Sequence, residues 1–214
     1  MYGYYDENKM KQRTRLPSWM RKRLQDTQQT LKMKNMLNQL DLHTVCQSAS
    51  CPNMSECFQK PTATFMIMGD VCTRNCRFCG IHKGKPLKLD PQEPDHVSDA
   101  VGRLHLKHVV ITSVTRDDLD DGGALHFAKT VKAIRNAHQG VTVEVLIPDF
   151  KGNKESLEIV LESGIHILNH NVETIPRLYA SVRPMADFRQ SVEVIKMSKL
   201  LSDGVMTKSG LMVG

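Results

Sequence analysis

The chain has 214 residues, a hydrophobic content of 40% and a net charge of +6. This length and composition suit one globular domain with a buried core. No apolar run approaches the roughly 18 residues that a membrane-spanning helix needs, so a membrane protein is excluded. The first residues, MYGYYDENKMKQR, lack the apolar stretch of a secretory signal. We therefore expect a cytoplasmic protein.

The basic excess is confined to the amino-terminal segment. Residues 1–40 hold nine Lys or Arg and three Asp or Glu, whereas residues 41–214 hold 20 of each and are neutral. Such a segment suits nucleic acid or an acidic protein as a partner, and an aromatic content of only 5% makes nucleic acid the weaker choice. Residues 16–40 are predicted to form an amphipathic helix with Ser18 as its N-cap. Its basic face is either solvated or a docking surface.

All six cysteines lie close together and form two triplets. These are Cys46, Cys51 and Cys57, spaced C-x4-C-x5-C, and Cys72, Cys76 and Cys79, spaced C-x3-C-x2-C. Disulfides are disfavoured, because the chain lacks a secretory signal and is long enough for a normal core. Two neighbouring triplets indicate metal binding instead. The plainer alternative is one zinc site that takes four ligands from the six cysteines, with His43 or His82 as auxiliaries.

The second triplet directly follows an apolar run, Thr64–Met68, that is typical of a buried strand. Its thiols are therefore expected in the loop that leaves the carboxyl end of that strand. The number of cysteines is informative, because a closed structural zinc site uses four protein ligands. A cubane iron–sulfur cluster held by three cysteines leaves one iron open to another ligand.

After the second triplet the sequence alternates between strands and helices. Strands are predicted at about 64–69, 108–112, 141–147, 165–169 and 209–214, and helices at about 95–106, 121–137, 154–163 and 186–201. This alternation is typical of βαβ units and a parallel sheet. We predict an α/β fold, a partial (β/α) barrel over residues 61–214 that ends within its fifth strand. Residues 1–60 would form a helical extension that carries the first triplet.

Polar residues follow each predicted strand, and the carboxyl ends of parallel strands share one face. Asp117 lies in an acidic loop after the second strand, where helix capping is the structural alternative. Asn171 and Glu173 follow the fourth strand, beside His170, which could equally be a buried core histidine. Arg183 is either an anion-binding or a surface arginine. We predict that Asp117, Asn171, Glu173 and Arg183 contact a ligand.

Several stretches of the chain resemble a known family. They are Leu42–Cys46, Thr62–Met66, Val110–Val114, Arg116–Asp118, Asp120–Ala124, Glu144–Phe150, Asn169–Thr174 and Val182–Pro184. The second triplet after the first strand of a β/α barrel resembles the signature of the radical S-adenosylmethionine superfamily. The first triplet resembles the auxiliary-cluster motif of lipoyl synthases. By this resemblance, which runs from about residue 16 to the end, the chain is identified as a member of the lipoyl synthase family.

The resemblance implies two [4Fe-4S] clusters and S-adenosylmethionine as cofactors. Cys72, Cys76 and Cys79 would hold the cluster whose open iron chelates S-adenosylmethionine, with Asp117, Asn171, Glu173 and Arg183 as cofactor or substrate contacts. Reductive cleavage would give a 5′-deoxyadenosyl radical that abstracts hydrogen from C6 and C8 of a protein-bound octanoyl-lysine. Cys46, Cys51 and Cys57 would hold the second cluster, which donates the sulfur atoms.

The implied partners are octanoylated lipoyl carrier domains of 2-oxoacid dehydrogenase complexes or the glycine cleavage H protein. An electron donor such as ferredoxin or flavodoxin is implied as well, but neither nucleic acid nor a membrane. The basic segment around Arg21, Lys22 and Arg23 would face an acidic carrier. Family members continue beyond the point where this sequence ends, so the chain resembles a member truncated at the carboxyl terminus. A methylthiotransferase-type enzyme with two clusters and a non-enzymatic zinc module are the alternatives.

Overall fold

The computed structural model describes residues 62–213, together with Leu31, Asn35, Leu37, Gln39, Leu40 and residues 42–44. The first cysteine triplet, residues 21–23 and most of the predicted helix over 16–40 lie outside these described residues. The division of the chain at residue 60 lies outside them too and stays a prediction.

The described residues form a six-stranded sheet and a separate two-stranded ribbon. The strands are β1 (His43–Thr44), β2 (Thr62–Ile67), β3 (Val71–Cys72), β4 (His82–Lys83), β5 (His108–Ser113), β6 (Thr142–Leu146), β7 (Ile167–Asn169) and β8 (Met206–Lys208). The large sheet has the order β1-β2-β5-β6-β7-β8, in which β1 is antiparallel to β2 and all other pairs are parallel. Strands β3 and β4 form the ribbon. The predicted α/β class with a parallel sheet is confirmed.

Helices connect the parallel strands, as the alternating pattern predicts. They are α1 (Glu93–Arg103), α2 (Ala124–Ala137), α3 (Lys154–Leu161), α4 (Tyr179–Val182) and α5 (Phe188–Leu201). Short 3₁₀ turns lie at Phe150–Gly152 and Pro176–Leu178. Helices α1, α2, α3 and α5 pack in sequence against one another. None of the helices that the structure describes has the length and apolar character needed to span a bilayer.

The sheet has two chemically different faces because side chains alternate along each strand. Phe65, Ile111 and Val145 belong to the face that packs into the hydrophobic core, and all three are fully buried. Their neighbours in sequence, Thr112 and Leu146, lie on the other face and line a cavity. The helices therefore leave one face of the sheet, and its carboxyl edge, for a functional site.

The prediction for the last strand was wrong in position. Strand β8 covers Met206–Lys208, not 209–214. Beyond it, the described chain pairs with the sheet only through an isolated bridge between Glu173 and Leu211. The apolar run Leu211–Val213 suggested a buried strand, but its side chains are exposed. Strands β1, β3 and β4 were not predicted, because two residues are too few to show alternation.

Candidate active site

A cavity of about 380 Å³ lies at the carboxyl ends of the parallel strands, where ligands bind in sheets of this kind. Its wall contains the whole second cysteine triplet. It also contains three of the four predicted contact residues, Asn171, Glu173 and Arg183. Among the described residues, no three His, Cys, Asp or Glu side chains converge on a point that a single metal ion could occupy. The three thiols instead line the cavity.

The cysteine loop begins at Met68, a buried residue with an unusual left-handed backbone, φ 68°. Its N–H donates to both carboxylate oxygens of Glu93, at 3.1 and 2.9 Å, and its carbonyl accepts from Arg116 at 3.5 Å. Glu93 is in turn held by His126 Nε2 at 2.6 Å. The Met68 side chain lies against Gly123, where a Cβ would overlap it. Four contacts thus fix the direction in which the loop leaves the sheet.

Inside the loop, Cys72 accepts two backbone hydrogen bonds on its sulfur. The amide of Arg74 lies 3.4 Å and that of Thr115 lies 3.3 Å from Cys72 Sγ. Thr73 also donates to the Thr115 carbonyl from both its amide and its hydroxyl. N–H···S bonds to a ligand sulfur are one way in which proteins tune iron–sulfur clusters. The strand-end loop after β5 therefore supports the first cysteine of the triplet directly.

Arg74, between the first two cysteines, lies at the centre of a buried ion triad. Its guanidinium donates to Asp117 at 2.7 and 2.9 Å and to Asp149 twice at 2.7 Å. The side chain of Arg74 is 6% exposed and that of Asp149 is 0% exposed. Two forked pairs of this geometry tie the cysteine loop to the loops after β5 and β6.

The triad changes the interpretation of Asp117 and adds residues that the sequence did not predict. Asp117 lies outside the wall of the cavity, paired with Arg74, so the structure gives it a partner other than the predicted ligand. Arg74 and Asp149 were not predicted as site residues. Each had a visible signal: Arg74 lies between two cysteines in the sequence, and Asp149 lies just beyond a predicted strand. The partners are 75 residues apart in the chain, so spacing does not indicate the pair.

Arg74 also controls the pKa of Asp149. Burial raises the pKa of Asp149, but hydrogen bonds and attraction from Arg74 outweigh burial, so the net pKa is lowered. A lowered folded-state pKa stabilises the fold above the unfolded value of about 3.9, and this stabilisation disappears as the pH falls through the folded-state pKa.

We therefore expect the free energy of unfolding to fall as the pH drops below about 4. The Asp149→Asn variant should be less stable at neutral pH but should show a shallower acid dependence. Urea unfolding of the two metal-free proteins from neutral to acid pH measures this. Parallel curves for the two proteins would contradict the assignment.

The loop after β7 supplies the opposite wall of the cavity. Arg183 Nη1 donates to the Asn171 carbonyl and to the Tyr179 hydroxyl, both at 3.1 Å, and its guanidinium lies 5.4 Å from the centre of the Tyr179 ring. The Tyr179 hydroxyl donates to the Val172 carbonyl at 2.7 Å. Glu173 has a left-handed backbone, φ 62°. The predicted residues Asn171, Glu173 and Arg183 therefore share one braced loop system.

Arg183 also lies beside the second cysteine. Burial raises the pKa of the Cys76 thiol, and the charge and hydrogen bond of Arg183 only partly offset this effect. The neighbouring thiols Cys72 and Cys79 raise it further. Arg183 thus places a positive charge beside the triplet, where a negatively charged ligand group would be attracted.

The donor set fits a thiolate-bound cluster and a polar ligand. Three buried atoms of cavity-wall residues have no hydrogen-bond partner among the described residues: Ser113 Oγ, His170 Nε2 and Arg183 Nε. Leaving such groups unpaired is costly. His170, the residue of uncertain role, is a buried histidine whose Nδ1 lies 2.9 Å from the Ile147 carbonyl, and burial lowers its pKa.

Comparison with known proteins agrees with this geometry. The profile of the Radical SAM superfamily matches residues 66–214, and the profile of the N-terminal domain of lipoyl synthase of the Radical SAM family matches residues 2–51. Lipoyl synthase of Caldanaerobacter subterraneus subsp. tengcongensis is 54% identical over 94% of this chain and 70% of its own length. That of Caldicellulosiruptor bescii is 52% identical over 92% and 68%.

The chain belongs to the lipoyl synthase family. It is shorter than these relatives and spans about 70% of their length. Lipoyl synthases are radical S-adenosylmethionine sulfurtransferases, so this lipoyl synthase chain is an enzyme of that class. The methylthiotransferase and zinc-module alternatives lose their support.

Solved structures with little sequence identity share the fold of this lipoyl synthase chain. Methylornithine synthase superposes with a TM-score of 0.57 at 16% identity, over 85% of this chain and 56% of that one. HydG, a maturase of the [FeFe]-hydrogenase, gives 0.59 at 15% identity, over 89% and 47%. The partial (β/α) barrel of the radical SAM type is therefore the fold of this lipoyl synthase chain.

Proposed function

We propose that this chain inserts two sulfur atoms, at C6 and C8 of a protein-bound octanoyl-lysine, to form the lipoyl cofactor. One observation carries the proposal: all three thiols of the second triplet line the cavity that also contains Asn171, Glu173 and Arg183. In a lipoyl synthase family member, this arrangement supports the proposal of a cluster and its polar ligand in one space.

We assign one [4Fe-4S] cluster to Cys72, Cys76 and Cys79 and a second to Cys46, Cys51 and Cys57, with S-adenosylmethionine as the further cofactor. When bound, these groups supply the electron and radical chemistry that activates the acyl chain, and the sulfur that is inserted. The residues of the chain position and shield the reactants. The Arg74 triad and the Met68 contacts hold the cysteine loop, and the cavity partly encloses the reactants.

Asn171, Glu173 and Arg183 are proposed contacts for S-adenosylmethionine or the acyl substrate. Arg183 is the cation of this wall and suits a carboxylate group. Asp117 is proposed to act more indirectly, by fixing Arg74. The carriers would be lipoyl domains of 2-oxoacid dehydrogenase complexes or the glycine cleavage H protein. The electron donor would be ferredoxin or flavodoxin, in the cytoplasm.

Anaerobic purification of three proteins tests the assignment. The unmodified chain is expected to bind about eight irons, as two four-iron clusters contain. Replacing either triplet by alanines should leave about four. Loss of Cys72, Cys76 and Cys79 should abolish cleavage of S-adenosylmethionine. Loss of the first triplet should leave this cleavage intact but prevent sulfur insertion into an octanoyl-lysine peptide. Mass spectrometry of the peptide measures the insertion. A colourless zinc protein, or cleavage without the second triplet, would overturn it.

A further inference from the structure

The rim of the cavity carries a basic segment whose cations have no role in the proposed chemistry. This rim segment, residues 77–88, contains Arg77, Lys83, Lys85 and Lys88 and neither Asp nor Glu. Its beginning borders the cavity directly, because Phe78 and Ile81 line the wall. Since residues 41–214 are neutral as a whole, this local excess of charge is unusual.

The cations of the rim segment are exposed and have no ion-pair partner among the described residues. All four are exposed, and none forms a salt bridge with a carboxylate of the described residues. Lys154 and Lys196, by contrast, each pair with a glutamate on their own helix. Asp70, Asp90 and Glu93 share a second cavity with Lys88, but Glu93 is already bound to Met68 and His126. The charge of the rim segment is available to a partner.

The segment also exposes two large apolar side chains. Phe78 is 43% and Leu87 is 85% exposed. One exposed leucine is ordinary, but Phe78 and Leu87 beside four cations suit an interface with an apolar centre and a polar rim. Aromatic residues suitable for stacking several bases, which single-stranded nucleic acid would favour, are limited to Phe78 here.

The segment is held in place rather than loose. Strand β4 pairs with β3, and the Gly84 amide donates to the Cys72 carbonyl at 3.0 Å. The Arg77 amide donates to the Val182 carbonyl at 2.9 Å. A surface ordered before binding loses less conformational entropy when a partner docks.

We propose that the rim segment is the docking surface for an acidic face of the carrier domain that presents the octanoyl-lysine. This inference rests on the proposed function. Because the substrate lysine belongs to a folded protein, that protein must lie against the rim when the lysine enters the cavity. The lysines steer the acidic face, and Phe78 and Leu87 supply apolar contact at the same place.

The test uses the full chain with its clusters and the variant Lys85→Glu/Lys88→Glu, whose residues lie outside the main cavity wall. The matched control, Lys129→Glu/Lys132→Glu, makes the same charge change at exposed positions of α2. Binding of an octanoylated carrier domain is titrated by calorimetry at low and high salt. We expect the rim variant to raise the Kd on the order of tenfold and to lose most of its salt dependence, with the control unchanged. A Leu87→Ser variant should also weaken binding, without altering the salt dependence.

A second readout separates this inference from the proposed function. Sulfur insertion into a short octanoyl-lysine peptide should be unchanged in the rim variant, because the peptide has no acidic face. Equal carrier Kd for the rim variant and the unmodified chain would overturn the docking surface, whatever the peptide result. The docking surface would also be overturned if the Lys85→Glu/Lys88→Glu variant weakened binding of a DNA duplex but not of the carrier. Failure of the unmodified chain to convert the peptide would count against the proposed function alone.

Discussion

The Arg74→Met chain is expected to lose about 3–5 kcal/mol of folding free energy, because it leaves the buried Asp149 carboxylate without its partner. It should also lose the iron held by the second triplet, since Arg74 ties that loop to two strand ends. Arg74→Lys keeps the charge but loses the forked hydrogen bonds of the guanidinium. Its stability and iron content should lie between those of the unmodified chain and of Arg74→Met.

Urea unfolding and iron analysis measure both effects. Arg103→Met is the matched control, because Arg103 forms an exposed pair with Asp99 one helical turn away. Its loss should change stability by less than about 1 kcal/mol. If Arg74→Met matched this control in stability and iron content, the triad would not position the loop.

A Gly123→Ala substitution should destabilise the chain by about 2–5 kcal/mol through two separate costs. Gly123 has φ 90°, where a side chain costs about 1–2 kcal/mol. Its Cβ would also lie 2.6 Å from Met68 Cε, and overpacking of this kind typically costs about 1–3 kcal/mol. Because the clash falls on the residue that begins the cysteine loop, S-adenosylmethionine cleavage should fall as well.

Two other glycines separate these costs. Gly140 has φ 89° with open space around it, and Gly204 has neither constraint. Gly140→Ala should therefore show the backbone cost alone, and Gly204→Ala should be close to neutral. Combining Gly123→Ala with Met68→Ala should recover part of the loss, as expected for residues in contact. Strict additivity of the two substitutions would show that the clash is relieved elsewhere.

Local patterns were enough to predict the cysteine loop and most of the sheet. The second triplet follows β2 because an apolar run and cysteine spacing are both features of neighbouring residues. Asn171 and Glu173 reached the cavity because the carboxyl ends of parallel strands share an edge, whereas Arg183 follows α4.

Contacts between distant residues could not be predicted in the same way. Glu93 and His126 are 33 residues apart, and their role depends on how α1 and α2 pack. Asp117 was predicted at the correct edge of the sheet, but it pairs with Arg74 and does not line the cavity. The position of β8 was missed because the apolar run after it resembles a strand in composition although it is exposed.

Met68, with its left-handed backbone, couples the cysteine loop to the positions of α1 and α2. Glu93 opens α1 and Gly123 directly precedes α2, so both helices hold the same residue from different sides. A small shift between these helices would be transmitted to the thiols, although neither helix lines the main cavity. Gly102 lies at this helix interface, where a Cβ would come within 2.8 Å of His138. A substitution at Gly102 would therefore alter catalysis by shifting α1, without contact between the new side chain and the active site.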